Sequence, residues 1–275
     1  MSVFALMGRY RLRFLFTLLL VLLDAALLVF FPLFIGRAIS GAIAASYQEV
    51  IQLGLLGMAT LLVGSLRRFY DSRFYARVYE QMGAKIGDNE ATPVSTQSAH
   101  LGFLTEVVEF FENQLPELVN SAIGLIGTLI MIAVLNGTVF LGCGLVMLIV
   151  FTVYALSSKP TAQLHQGYSA ELEKQVTVLS GHQPMLLRNH LSKLMRWNVR
   201  LSDRETFNFA IVWFFMMLFL TLAIVIIVQQ GITNYGEVFS LVLYLFQFME
   251  VAIVLPLFYQ QWLRLKTIVS RLEVI

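Results

Sequence analysis

The 275-residue chain carries hydrophobic side chains at 58% of its positions and charged ones at only 13%, and its mean hydropathy is +0.75. Soluble globular chains hold about 25% charged residues, so this composition excludes one and calls for a protein embedded in a membrane. The net charge of +2 is small and the basic residues flank apolar runs, which excludes a nucleic-acid binder. The single cysteine, Cys143, sits in the run LGCGLVMLIV, where it has no companion for a disulfide or a metal site and reads as helix packing.

Crossing the hydrocarbon core takes about twenty apolar residues. Six stretches reach or approach that length: Phe14 to Gly36, Val50 to Leu66, Leu115 to Leu135, Val139 to Leu156, Phe209 to Val228 and Val238 to Phe258. Arg9, Arg11 and Arg13 precede the first, as in a secretory signal, but the run is too long for a signal core and carries an acid, so it is expected to remain as a helix. Of the basic residues, all but Arg37 fall in the N-terminal segment, the second-to-third connection, the fourth-to-fifth connection or the C-terminal segment. By the preference of Lys and Arg for the cytoplasmic side, both termini are expected there. The external connections are short, with a turn at Asn136-Gly137.

The two cytoplasmic connections, Arg67 to Gln114 and Ser157 to Asn208, are long and nearly equal. Unstructured loops of that length are uncommon, and these are helical in pattern. Phe69, Arg73, Arg77 and Glu80 recur at helical spacing, and Leu104, Val107, Val108 and Phe111 share one face. Turns are expected near Gly87 to Ser95, where Gly, Asp, Asn and Pro gather, and at Ser180 to Pro184. The predicted fold is an all-α membrane protein: six transmembrane helices with two long cytoplasmic helical hairpins, in one domain over residues 1–275.

That layout resembles the transmembrane domain of type I ABC exporters. Phe31-Pro32-Leu33-Phe34-Ile35-Gly36-Arg37-Ala38-Ile39 is similar to the end of that family's first helix, and Arg68-Phe69-Tyr70-Asp71-Ser72-Arg73 to the descent of its second. Leu255-Pro256-Leu257, Trp262 and Arg271-Leu272-Glu273 resemble the sixth helix and its extension. No GxxxxGK[ST] phosphate loop occurs, so the resemblance is to small standalone bacterial six-helix members, whose segments look like Glu106-Val107-Val108-Glu109-Phe110-Phe111-Glu112 and Leu201-Ser202-Asp203-Arg204-Glu205. It implies a bacterial inner-membrane homodimer whose exchanged helices surround a cavity, with no ATPase domain and no cofactor in this chain.

Two acids fall deep in predicted spans, Asp24 in the first and Glu250 in the sixth. Each costs roughly 2.5 to 3.5 kcal/mol to insert and so needs a reason to be there. Glu237, Ser240, Tyr244, Gln247 and Glu250 follow one another at steps of 3, 4, 3 and 3 and share a face; Thr17 and Asp24 share one on the first helix. A polar stripe is unfavourable against lipid, so these faces are expected to line a path for solute or protons, with Asp24 and Glu250 as the ion-binding carboxylates. The alternative is that each acid is neutral or hydrogen-bonded and fixes helix register. Trp213, Phe214, Phe215, Met216 and Met217 form a candidate lipophilic pocket, with ordinary helix packing as the alternative. Gly54, Gly57, Gly64, Gly124 and Gly127 are expected to allow close helix approach. The four histidines lack metal-ligand spacing, and no nucleophile elbow or paired catalytic carboxylates occur, so neither a metal site nor an enzyme is expected. The function expected is transport, by export, of a small amphipathic or cationic solute, proton-coupled in a homodimer. Alternatives are the membrane subunit of a pump whose ATPase is a separate chain, and a scaffold or regulator without transport.

Overall fold

The computed structural model describes residues 11–87, 93–181, 183–231 and 234–272; the side chains of 95, 96, 99 and 255–272 lie outside the description. Every regular element among these residues is a helix: α1 Arg11–Ile43, α2 Gln48–Gly87, α3 Val94–Glu109, a π-helical turn Phe110–Gln114, α4 Leu115–Leu135, α5 Gly137–Glu173, α6 Gln175–Ser180, α7 Pro184–Gln229 and α8 Tyr235–Leu272. Six helical stretches are long and apolar enough to cross a membrane, as the hydropathy pattern predicts. The third expected span coincides with α4, whereas α1, α2, α5 and α7 all run well beyond their apolar stretches. The turn expected near Gly87 to Ser95 falls largely on residues 88–92, outside the description, and of the sixth-helix motif at 255–273 the helix is described as far as Leu272 but not the side chains. At the other expected turn, α6 ends at Ser180 and the chain resumes as helix at Pro184; proline suits a first helical turn because its missing amide would be unpaired there anyway.

The chain divides into two compact units, residues 1–137 with 227–275, and residues 138–226. In the first, α1 is the central helix. Its buried positions Thr17, Leu20, Val21, Asp24, Ala25, Val29, Pro32, Gly36 and Gly41 recur at helical spacing and meet α2, α4 and α8. The crossing with α8 is a glycine contact: a Cβ on Gly36 would collide with the Gly236 carbonyl and Ser240, and one on Gly236 with the Gly36 carbonyl and Ser40. Hydrocarbon gives apolar helices no solvent-driven reason to associate, so close backbone approach of this kind supplies the packing. Gly127 on α4 lies against Val29 in the same way, and Gly64 faces Asp24, while a Cβ on Gly54, Gly57 or Gly124 would meet nothing within 4 Å among the described residues of other helices.

Pro32 interrupts the hydrogen-bond ladder of α1, since it lacks an amide and its ring crowds the preceding turn. Helix α8 meets that turn with hydroxyls: Tyr244 donates to the Val29 carbonyl at 2.9 Å, and Ser240 to the Pro32 carbonyl at 2.9 Å. Asn234 caps α8, accepting from the Gly236 amide at 3.0 Å while also accepting from the Ser40 hydroxyl at 2.7 Å. Helix α1 ends with Ala45 at φ 57°, where the Ser46 amide reaches the Gly41 carbonyl and the Ala45 amide the Ala42 carbonyl. This is the left-handed C-terminal cap that glycine usually supplies.

The second unit is the long pair α5 and α7. Val139, Cys143, Val146, Val150 and Ser157 form one buried face of α5; Leu194, Leu201, Asn208, Val212, Met216, Phe219 and Ala223 form the buried face of α7. Phe219 packs on Gly142, and Ser157 donates to Asn208 at 2.6 Å inside the seam. Beyond the apolar stretches, Trp197 packs on Gly167 and His190 Nδ1 lies 3.1 Å from Glu171 Oε1.

Candidate functional site

Two helix faces build a polar cluster where α1 and α2 run antiparallel. On α1, Thr17 and Asp24 are two turns apart; on α2, Arg67, Asp71 and Tyr75 follow at successive i, i+4 steps. Asp24 therefore sits opposite Arg67, with Oδ2 3.6 Å from Nη2, Asp24 buried and Arg67 largely so. Asp71 and Thr17 are 4% and 3% exposed. Among the described residues, Arg67 Nε and Nη1, Asp71 Oδ1, Thr17 Oγ1 and the Tyr75 hydroxyl are buried without a hydrogen-bond partner. Buried polar groups are rarely left so, and their concentration in one place marks this cluster out from the rest of the chain.

The third wall comes from the π-helical turn. There the Leu115 amide reaches back to the Phe110 carbonyl, a wider turn than the α-helix makes; such single turns recur at functional sites. The turn presents Glu112, which accepts from the Ser72 hydroxyl at 3.0 Å. Around this cluster the aromatic rings of Phe16, Tyr70, Phe74 and Tyr75, and of Phe14, Phe110 and Phe111, pack edge-on, tilted or stacked. A cavity of about 560 Å³ opens between α2 and the π-turn with α4, lined by Arg67, Arg68, Asp71, Ser72, Glu112, Asn113, Pro116, Glu117, Asn120 and Ser121.

A family described as the ABC transporter transmembrane region matches residues 5–236. The chain belongs to that family. A comparison with curated proteins gives no match. As a member of the ABC transporter transmembrane-region family with six helices fit to span a bilayer, this chain is an integral membrane protein and the membrane-embedded kind of transporter component.

Of the residues singled out from sequence, the structure gathers Thr17 and Asp24 into the cluster. Ser240 and Tyr244 spend their hydroxyls on the backbone of α1. Gln247 Oε1 is buried without a partner among the described residues, and Glu250 is exposed on the surface of the chain. Trp213, Phe214, Met216 and Met217 are divided between the inner and outer sides of α7: Met216 is fully buried in the α5–α7 seam, Phe214 and Met217 face outward, and Trp213 packs on Phe209. Sequence reasoning passed over Arg67, Asp71, Tyr75 and Glu112. The readable signal was the Arg67-Asp71-Tyr75 spacing directly after an apolar span; the pairing with Asp24 needed the register of α1 against α2. Among the described residues no group of three or more metal-ligating side chains is found.

Proposed function

We propose that this chain works as a homodimeric, proton-coupled transporter that exports a small amphipathic or cationic solute, with Arg67 shared between Asp24 and Asp71 as the coupling element. The observation that carries this reading is the Asp24–Arg67 contact at 3.6 Å beside a second buried carboxylate whose Oδ1 has no partner among the described residues. Arg67 stays charged, so protonating Asp24 removes its counter-charge and leaves Asp71, one turn along α2, as the next acceptor. Deprotonation draws Arg67 back. Such an exchange shifts α1 against α2 and gives a proton a means of biasing two conformations.

Homodimer formation is supported by the membrane-facing surface. Glu250 is exposed in the apolar stretch of α8, and against lipid an acid there costs roughly 2.5 to 3.5 kcal/mol. A second copy enclosing a water-filled path removes that cost. The distribution of Lys and Arg supports cytoplasmic termini, and the resemblance to bacterial six-helix members supports an inner membrane.

The test is uptake of ethidium, a lipophilic cation, into proteoliposomes under an imposed pH gradient. Wild-type protein moves the dye only with the gradient, and Asp24→Asn abolishes movement while remaining dimeric. Gradient-dependent uptake by Asp24→Asn would end the coupling assignment. Family membership favours a second reading, in which a separate ATPase chain docks on the helix ends near Gly181. Native mass spectrometry of the complex from its own membrane separates the two, because a stoichiometric ATPase subunit would replace the proton as energy source.

A further inference from the structure

We propose that the cavity between α2 and the π-turn with α4 is a binding site for a small zwitterion, one end an ammonium and the other a phosphate or carboxylate. This deepens the transport reading by naming the substrate class. The walls are of both signs. Arg67 and Arg68 supply guanidinium groups on one side; Asp71, Glu112 and Glu117 supply carboxylates, with Ser72, Asn113, Asn120 and Ser121 between them.

The unsatisfied groups define the ligand. Arg67 Nε and Nη1 are donors without an acceptor, and Asp71 Oδ1 and Asn120 Oδ1 are acceptors without a donor. All three side chains line the cavity, and Asp71 is only 4% exposed. A simple anion would satisfy Arg67 and meet three carboxylates. A simple cation would satisfy Asp71 and meet two guanidinium groups. A molecule carrying both charges sets its anionic end against Arg67 and Arg68 and its N–H donors against Asp71, Glu112 and Glu117, so both signs of the wall gain charge-assisted bonds. The volume of about 560 Å³ lies in the range of small-molecule sites. Arg67 also touches Asp24, so occupancy of the anionic end competes with Asp24 for the same guanidinium and links the ligand to the coupling pair.

The probe is O-phosphoethanolamine, titrated calorimetrically into the full chain in nanodiscs of phosphatidylglycerol, with ethanolamine and inorganic phosphate as single-ended controls. Phosphoethanolamine should bind saturably, and each control at least about tenfold more weakly, the loss of one charge-assisted contact. Equal binding of either control, or no binding of any probe, would overturn the proposal. Because Asp71→Asn could disturb packing, Arg68→Gln and Glu117→Gln, both exposed cavity-wall residues, are measured beside it; each should weaken phosphoethanolamine about tenfold, and unchanged affinity in both would also overturn it. Adding phosphatidylethanolamine to the nanodiscs identifies the source: competition assigns the site to a lipid headgroup, and its absence to a soluble zwitterion. No proton gradient is present, so binding that survives in Asp24→Asn while gradient-driven flux is lost upholds both readings, and binding retained with flux unaffected removes the coupling alone.

Discussion

Tyr244 donates its hydroxyl to the backbone carbonyl of Val29 three residues ahead of Pro32, so a side chain of α8 serves the turn of α1 that proline has loosened. In hydrocarbon no water can take that place. Tyr244 is fully buried, and Tyr244→Phe should destabilise the chain by about 1 to 2 kcal/mol, measured by reversible unfolding in mixed micelles. Pro32→Ala restores the amide and straightens the turn. In that background the Tyr244→Phe penalty should shrink, and equal penalties in the two backgrounds would show that the hydroxyl answers some other need.

The spans were legible in the sequence because hydropathy and length are local properties. Leu115 to Leu135 emerges as α4, and the helical patterns beyond Leu66 and before Phe209 emerge as the continuations of α2 and α7. Periodicity also identified the polar stripe of α8, but not what its members touch: the glycine crossing at Gly36 and Gly236 brings Ser240 and Tyr244 onto the α1 backbone. The cluster was half-visible for the same reason. Asp24 stands out as an acid in an apolar run, whereas Arg67 looks like an ordinary flanking arginine until antiparallel register sets it across from Asp24. The π-turn that aims Glu112 at Ser72 has no local sequence mark.

The Asp24–Arg67 pair makes a prediction about charge balance. Asp24→Asn leaves a buried guanidinium without its counter-ion and should cost about 3 kcal/mol, as should Arg67→Gln in the reverse sense. The double variant removes both charges and should recover most of that loss. Additive losses in the double variant would mean that the two groups do not depend on each other.

At the end of α1 the residue in the left-handed conformation is Ala45, at φ 57°. The Cβ penalty there disappears in glycine. Ala45→Gly should therefore raise stability by about 0.5 to 1 kcal/mol, even allowing for glycine's greater freedom in the unfolded chain. A Tm that falls would show that the cap is not held in this geometry.

Glu171 gives the α5–α7 pair a pH dependence of known sign. Hydrogen bonds from Lys174 and then His190 hold its carboxyl below the ordinary value of 4.5. A carboxyl lowered by folding stabilises the folded state fully above its unfolded value, and the contribution is lost as pH falls through the folded value. The contribution of Glu171 to the ends of α5 and α7 should therefore be lost as pH falls below about 4.5. Hydrogen exchange over residues 160–200 reads this directly, with protection decreasing on acidification. In Glu171→Gln that dependence should disappear, because no carboxylate remains to be titrated. A loss of protection at 160–200 that persists in Glu171→Gln would have to come from another group, and the Glu171–His190 contact at 3.1 Å would then be incidental to the stability of that helix pair.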